Sequence, residues 1–370
     1  MAGRSQEKIR KKEADFMLLF TTMTLLAIGI VMVFSASYYV LRERNDPYFH
    51  LRRQVMWACL GTAGMLFFSN YDYWKLKRWT NLILLLSLIL LLAVFIPGVG
   101  VEILGARRWI GIGDLTLQPS DMAKMAMMLF AAAYLSRKDV RVEKLTEGTL
   151  PVLIILGVFF AIIMKQPDLG TAITLAGAVM LVIFAAGMPW QQIFFLGAAA
   201  VPLFIYLISS EEYRLQRWMS FLDPWADPLD TGYQIIQSLY AIGPGGLFGV
   251  GLGHGRQKMY FLPEPHSDFI FAVIGEELGF LGCTTILIIF FLLFWRGFKI
   301  ALTAPDAYGS LLATGIISMI ALQTLINIGV VTGSIPVTGI NLPLISSGGS
   351  SLVFTMCSIG VLLNISKYTI

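Results

Sequence analysis

The stretch FLPEPHSDFIFAVIGEELGF, residues 261–280, sets a carboxylate, Asp268, at the edge of a long apolar run, just after Glu264 and His266. An ionisable group at the rim of a bilayer is costly unless it is paired or faces water, so its presence asks for a function. An apolar boundary also raises a carboxyl pKa above its reference of about 3.9, which makes the carboxylate a better base. Other costly groups are few. Asp121 and Lys124, in QPSDMAKMA, stand three residues apart, on one helix face and within pairing reach. Asp168 follows a proline in KQPDLGTA, where it caps a helix or faces a cavity, and Glu276 and Glu277 lie two turns beyond Asp268. Taken singly, each acid reads equally well as a cap or an internal ion pair. Together, Asp121, Asp168 and Asp268 fall near one predicted outer boundary and point to a polar cavity opening there.

Other motifs exclude more than they suggest. GPGGLFGVGLGHG has close glycine spacings but lacks the G-x-x-x-x-G-K-[ST] of a phosphate loop and the strand–turn–helix setting of a dinucleotide site. It reads as a tight loop that lets backbone approach a partner or a ligand. His50, His254 and His266 show no zinc spacing, HGRQK is not HExxH, and no G-x-S-x-G occurs. Cys59, Cys283 and Cys357 all lie in apolar runs and read as small packing residues. A net charge of +4, with no basic stripe interleaved with aromatics, argues against a nucleic-acid partner.

Membrane helices must position these residues. The chain is 56% hydrophobic and 14% charged, whereas soluble domains are about a quarter charged. Apolar runs of about 20 residues, the length that crosses a bilayer as helix, recur from end to end. Ten spans can be drawn: 16–37, 53–69, 80–96, 119–135, 149–164, 169–187, 191–209, 268–298, 308–332 and 350–366. The expected fold is all-α, a polytopic membrane protein of about ten transmembrane helices. It has a cytoplasmic basic tail at 1–15 and a single transmembrane domain at 16–370. A signal peptide is set aside, because the run Phe16–Phe34 is longer than a signal core and further spans follow. No inverted repeat of the transporter kind is visible.

An even number of spans puts both termini on one side. Lys and Arg number 15 on that side against 11 on the other, which makes it the cytoplasm. The outer face then carries the longer loops, 38–52, 97–118, 210–267 and 333–349. The 58-residue loop 210–267, between the seventh and eighth helices, is of a length that usually means function. Within it, GYQIIQSLYAIG has Ile235, Leu239 and Ile242 at helical spacing, with Gln234, Gln237 and Ser238 on other faces. It reads as a short amphipathic helix, lying in the interface or packed over the bundle. The uncharged GSIPVTGINLPLISSGGSS, residues 333–351, reads as the back wall of a site or as a re-entrant connector.

GARRWI, QPSDMAK, QPDLGTA, DPLDTGYQIIQSLYAIGPGGLFGVGLG, LPEPHSDFIFAVIGEELGFLG and IPVTGINLPLISSGGSS together resemble the SEDS family (shape, elongation, division and sporulation), which includes FtsW, RodA and SpoVE. The likeness covers nearly the whole chain after the N-terminal tail and looks closest to the SpoVE/FtsW branch. It implies a peptidoglycan glycosyltransferase that polymerises lipid II into glycan strands on the outer face of the bacterial cytoplasmic membrane, paired with a class B penicillin-binding transpeptidase. It implies that the essential acid is Asp268. The family's QPSE…K motif maps onto Asp121 and Lys124, its loop arginine and tryptophan onto Arg108 and Trp109, and its QPDLG acid onto Asp168. Asp121 replaces the usual Glu and has a shorter reach; Ser267 stands where Thr is common, and Ser347 where Tyr is often seen.

The implied reaction converts an α-linked lipid diphosphate into a β-1,4 product. One-step inversion needs a base for the acceptor 4-hydroxyl, no covalent intermediate and little acid help, because diphosphate leaves as a stable anion. One carboxylate plus cations therefore suffices, unlike the two carboxyls of a glycosidase. On this reading Asp268 is the base, and Lys124, Arg108, Arg214, Arg217, Arg256 and Lys258 are the outer-side cations for the diphosphate. Trp109 stacks on a sugar or anchors at the interface, and Glu264 positions the acceptor or ties down its loop. A divalent cation bridging Asp268 and the diphosphate is compatible with this chemistry, although no ligand set is visible. Two other classes suit the helices and buried ions: a flippase or transporter for lipid-linked sugars, and a scaffold recruiting a division or sporulation partner. A flippase needs a polar path to both faces, and a scaffold leaves Asp268 replaceable. The gathering of ions near one face favours chemistry there.

Overall fold

In the computed structural model, which describes residues 12–43, 45–103, 105–112 and 115–369, a helix forms at each of the ten predicted spans. In chain order the helices are α1 (Phe16–Glu43), α2 (Phe49–Asn70), α3 (Tyr73–Ala93), α4 (Pro119–Leu135), α5 (Leu150–Lys165), α6 (Leu169–Ala185), α7 (Trp190–Ser209), α8 (Glu212–Leu222), α9 (Tyr233–Ile242), α10 (Gln257–Tyr260), α11 (Ile270–Thr303), α12 (Ala307–Val331) and α13 (Gly349–Ser366). Seven of the described helices are long and apolar enough to cross a bilayer: α1, α3, α5 with the turn before it, α7, α11, α12 and α13. The chain is thus a polytopic helical membrane protein. Most of the basic tail, residues 1–11, lies outside the described residues. Where the chain becomes described, the Lys12 amide donates to the Lys367 carbonyl at 2.8 Å and the Asp15 carboxylate pairs with Arg296, so the two described ends of the chain sit together.

The core is built around α12, which packs on α4, α6, α11 and α13. Small residues let backbones approach, the usual way helices associate when lipid offers no hydrophobic gain. A Cβ on Gly360 of α13 would stand 2.5 Å from the Met65 carbonyl of α2, so only glycine permits that crossing. By contrast α7 buries none of its residues and offers Phe194, Phe195 and Tyr206 outward.

Three features go beyond the sequence reading. First, the region 97–118 is a three-stranded antiparallel sheet, β1 (Gly100–Ile103), β2 (Ala106–Ile112) and β3 (Leu115–Leu117), in the order β1-β2-β3. Such short strands give too little alternation to stand out beside long apolar helices. The period of two sends adjacent arginines of β2 to opposite faces. Arg107 pairs with Glu102 across the β1–β2 ladder at 3.0 Å, which leaves Arg108 for the other side.

Second, α9 packs over the bundle, which decides between its two readings. Ile235, Ile236 and Ser238 are buried, and the Ser238 hydroxyl, expected on another face, donates to the Val331 carbonyl at the end of α12 at 2.7 Å. Leu239, expected on the apolar face, is partly exposed.

Third, α11 is broken at Gly279, whose φ of 66° only glycine adopts readily. The glycine-rich loop, expected to approach a partner or ligand, instead closes on this break. Val250 and Gly251 amides donate to the Glu276 and Glu277 carbonyls at 2.9 and 3.1 Å, and Phe280 and Leu281 amides donate to Gly246 and Leu247 carbonyls at 2.9 and 3.1 Å. Irregular backbone at this depth is tolerated only when protein satisfies it, and here four hydrogen bonds do so. A Cβ on Gly249 would collide with the Glu277 carbonyl, which explains the glycine.

Candidate active site

The turn that carries Asp268 is tied down from behind. Asn327, on α12 and only 1% exposed, donates through one amide nitrogen to the carbonyls of Asp268 (2.8 Å) and Ile340 (2.7 Å). Ser346 donates to the Ser267 carbonyl at 2.6 Å and accepts from the Leu342 amide at 2.8 Å, and the Ser347 amide donates to the His266 carbonyl at 2.9 Å. The uncharged segment 333–348 is therefore a wall clamped to the Asp268 turn, with Gly339 placed so that a Cβ would sit 3.5 Å from Oδ2 of Asp268.

In front of that turn lies a cavity of about 500 Å³. It is framed by the β-sheet, α2, α4, the segment 337–341 and the start of α13. Among the described residues four basic side chains (Arg53, Arg108, Lys124, Arg217) and three acidic ones (Asp121, Glu264, Asp268) line it. The predicted residues Asp268, Arg108, Trp109, Asp121, Lys124, Arg217 and Glu264 thus meet in one space, although Arg108 and Asp268 lie 160 positions apart in the chain.

Each group has a definite setting. Lys124 pairs with Asp121 at 2.9 Å, and Ser350 of α13 donates to the same carboxylate at 2.8 Å. Arg108 is held by backbone: its guanidinium donates to the carbonyls of Gln166 at 3.0 Å and of Pro167. Asp168 caps α6 by accepting from the Thr171 amide at 3.1 Å; it stands behind the cavity wall and touches the site through Gln118.

Asp268 lies just outside α11, and its carboxyl is pushed up to about 6, chiefly by burial and then by the neighbouring Glu264 charge; Arg108 and Arg217 pull the other way. The sequence-based expectation of a raised pKa holds. Burial and the nearby Arg108 lower the Arg217 pKa from its ordinary value. Burial lowers His266 to about 4, so this imidazole is neutral at physiological pH and cannot add a positive charge beside Asp268.

Three predicted cations do not reach the cavity. Lys258 is buried against Glu277 and Ser35, with its ammonium 2.9 Å from the Ser35 carbonyl; it offsets a buried carboxylate that burial would otherwise make costly. Arg214 turns back along the chain to the Leu207 carbonyl at 2.9 Å and the Tyr213 hydroxyl at 2.8 Å. Arg256 is exposed, and its backbone amide, not its side chain, is used, donating to Glu276 at 2.6 Å. A position in an outer loop does not say which way the folded loop turns its side chains, and these three cations stay out of the cavity.

Sequence reasoning passed over one wall. His50, Arg53, Gln54 and Trp57 all line the cavity from α2. They fall at i, i+3, i+4 and i+7, a polar stripe on an otherwise apolar helix, and that periodicity was the available signal. Gln323, Ser350 and Ser351 complete the floor. Among the described residues no cluster of three or more His, Cys, Asp or Glu side chains suits a metal ion, so the proposed divalent cation gains no protein ligand set here.

The chain as a whole, in sequence and in fold, matches known proteins. The family model described as cell cycle protein FtsW/RodA/SpoVE matches residues 16–370. The chain belongs to this family. Within it, the chain is 50% identical over 361 residues to stage V sporulation protein E of Bacillus subtilis, covering 97% of this chain and 99% of that protein. It is 44% identical over 365 residues to the probable peptidoglycan glycosyltransferase FtsW of Trichlorobacter lovleyi, covering 98% and 95%. A chain from a solved peptidoglycan synthase complex, described as coordinating polymerization and crosslinking, superposes with a TM-score of 0.80 at 32% identity, covering 95% and 97%. The rod shape determining protein RodA of Thermus thermophilus superposes at 0.71 with 30% identity, covering 95% and 96%.

Proposed function

We infer that Asp268 is the general base with which this peptidoglycan glycosyltransferase extends glycan strands from lipid II. The observation that carries this reading is the convergence of a carboxyl held near 6 with Arg108, Arg217 and Lys124 around one cavity. In the proposed step the acceptor 4-hydroxyl attacks the donor anomeric carbon and its proton passes to Asp268. The new glycosidic C–O bond forms as the bond to diphosphate breaks, and that electron pair leaves with the lipid diphosphate, for which Lys124 supplies a cation in the cavity. Trp109 lines the cavity, where an indole can stack on a sugar.

The enzyme works in the bacterial cytoplasmic membrane with a peptidoglycan crosslinking partner, on our reading a class B penicillin-binding transpeptidase. We place ten helices across the bilayer, both termini in the cytoplasm and the cavity on the outer face; the excess of Lys and Arg on the terminal side supports this.

The flippase alternative needs a route through the bundle. Next to Lys124 lies a separate pocket of about 30 Å³, lined by Met125, Met128, Ile316, Ile320 and Phe354 together with Thr355 and Ser358, with room for about two waters and none for a sugar. The deciding experiment reconstitutes the protein and its transpeptidase with lipid II in liposomes. Asp268→Asn should abolish polymer while partner binding persists. Normal glycan chains from that variant would reject the base, and lipid translocation without polymer would favour the flippase.

A further inference from the structure

Helix α13 begins in the cavity in an unusual state. Gly348 and Gly349 occupy its first positions, no side chain caps it, and residues 347–351 all line the cavity. The first amides of an 18-residue helix have no intrahelical acceptor, and the helix dipole adds partial positive charge there. These glycines are enforced by packing: a Cβ on Gly349 would sit 2.6 Å from the Trp57 indole, and one on Gly348 would strike Asn341. The first amides, which no side chain caps, therefore belong to a stretch that lines the cavity.

A second observation points to a ligand. Gln323, on α12, is only 6% exposed, lines the same cavity and makes no hydrogen bond to any described residue. Its carboxamide faces the cavity with no protein partner and is available to a ligand there. Lys124, 9% exposed, stands beside it, tied to Asp121. The floor thus presents uncapped backbone amides, a carboxamide without a protein partner and an ammonium, all of which can donate, and α13 joins this floor to the Asp268 turn through Ser347.

We propose that the N-terminus of α13, with Gln323 and Lys124, is the seat of the donor's diphosphate. The inference rests on the glycosyltransferase reading and deepens it: the leaving group departs towards the α13 floor, with Arg108 and Arg217 kept for the side of the cavity where Asp268 meets the acceptor. This division suits inversion, in which nucleophile and leaving group occupy opposite sides of the anomeric carbon.

The test titrates full-length protein in phosphatidylcholine nanodiscs with inorganic pyrophosphate. Tryptophan fluorescence is the readout, because Trp57 packs on Gly349, and Trp57→Phe identifies its share. Pyrophosphate should change the Trp57 signal and bind more tightly than inorganic phosphate. Gln323→Leu should weaken it about tenfold, and Gln323→Glu, similar in size but anionic, should weaken it further. Arg256→Gln, exposed and away from the cavity, should leave the affinity within about twofold of wild type. Asp268→Asn should bind like wild type even though it makes no polymer, so a failure of the base assignment, seen as polymer from Asp268→Asn, is read separately. The proposal is overturned if wild-type protein shows no pyrophosphate response, or if both Gln323 variants, monodisperse on size exclusion, bind as wild type does. It is equally overturned if Arg256→Gln alone abolishes binding, or if nanodiscs containing phosphatidylglycerol mask the site, which would mark a general phospholipid-headgroup site.

Discussion

The pH dependence of polymerisation follows from the setting of Asp268. Its carboxyl titrates at about 6 instead of 3.8, first because burial disfavours the charged form and second because Glu264 repels it. The base must be ionised, so activity is present above this value and lost as pH falls through it. About nine-tenths of the enzyme is active at pH 7, about half at pH 6 and about a tenth at pH 5. Glu264→Gln removes the second cause, so its midpoint should fall and the variant should outperform wild type, relative to its own plateau, at pH 5. Arg108→Gln and Arg217→Gln remove attractions and should move the midpoint up. Stability carries the opposite sign. The carboxyl has its ordinary pKa in the unfolded chain, so ionising it in the fold costs stability, on the order of 3 kcal/mol once pH exceeds 6. Asp268→Asn should therefore melt at neutral pH no lower than wild type and, on the proposed base assignment, make no polymer. The assay is initial rate of glycan formation on lipid II from pH 5 to 8 in liposomes, with thermal melts of the same samples. A flat profile across pH 5–7, or a midpoint near 4 unmoved by Glu264→Gln, would refute the reasoning.

Other consequences are simpler. Lys258→Met leaves the Glu277 carboxylate buried and unpaired and should cost about 3–5 kcal/mol, whereas Lys258→Met with Glu277→Leu should recover most of the loss; melting in detergent compares the two. Gly249→Ala sets a Cβ against the Glu277 carbonyl at a φ of 79°, so the folded yield should drop sharply with the site residues untouched, as read by size exclusion. Asn327→Leu removes the donor from two buried carbonyls. It should slow polymerisation at least tenfold and shift its pH midpoint, because the Asp268 turn loses its anchor, while Asn327→Gln should restore part of the rate.

Much of this protein was written in its sequence. Runs of apolar residues fix where helices form, because a backbone in lipid can satisfy its polar groups locally in no other way as a single segment. The Asp121–Lys124 pair and the raised Asp268 also followed from spacing and polarity, which act over a few residues, whereas Asp168, equally a cap or a cavity acid in sequence, became a cap only in the fold. Which charged loop residues reach the cavity did not follow. Lys258 and Arg217 look alike in sequence, yet one ends against Glu277 and the other opposite Asp268. That difference arises because the glycine loop folds onto the broken α11 and carries Lys258 with it. The stripe from His50 to Trp57 became a wall only when α2 packed on α13, and the uncapped amides of α13 acquire meaning only beside Gln323 of α12. Local chemistry is set by neighbours in the chain; a binding site is set by which helices meet, and that depends on glycine contacts and hydrogen bonds between residues hundreds of positions apart.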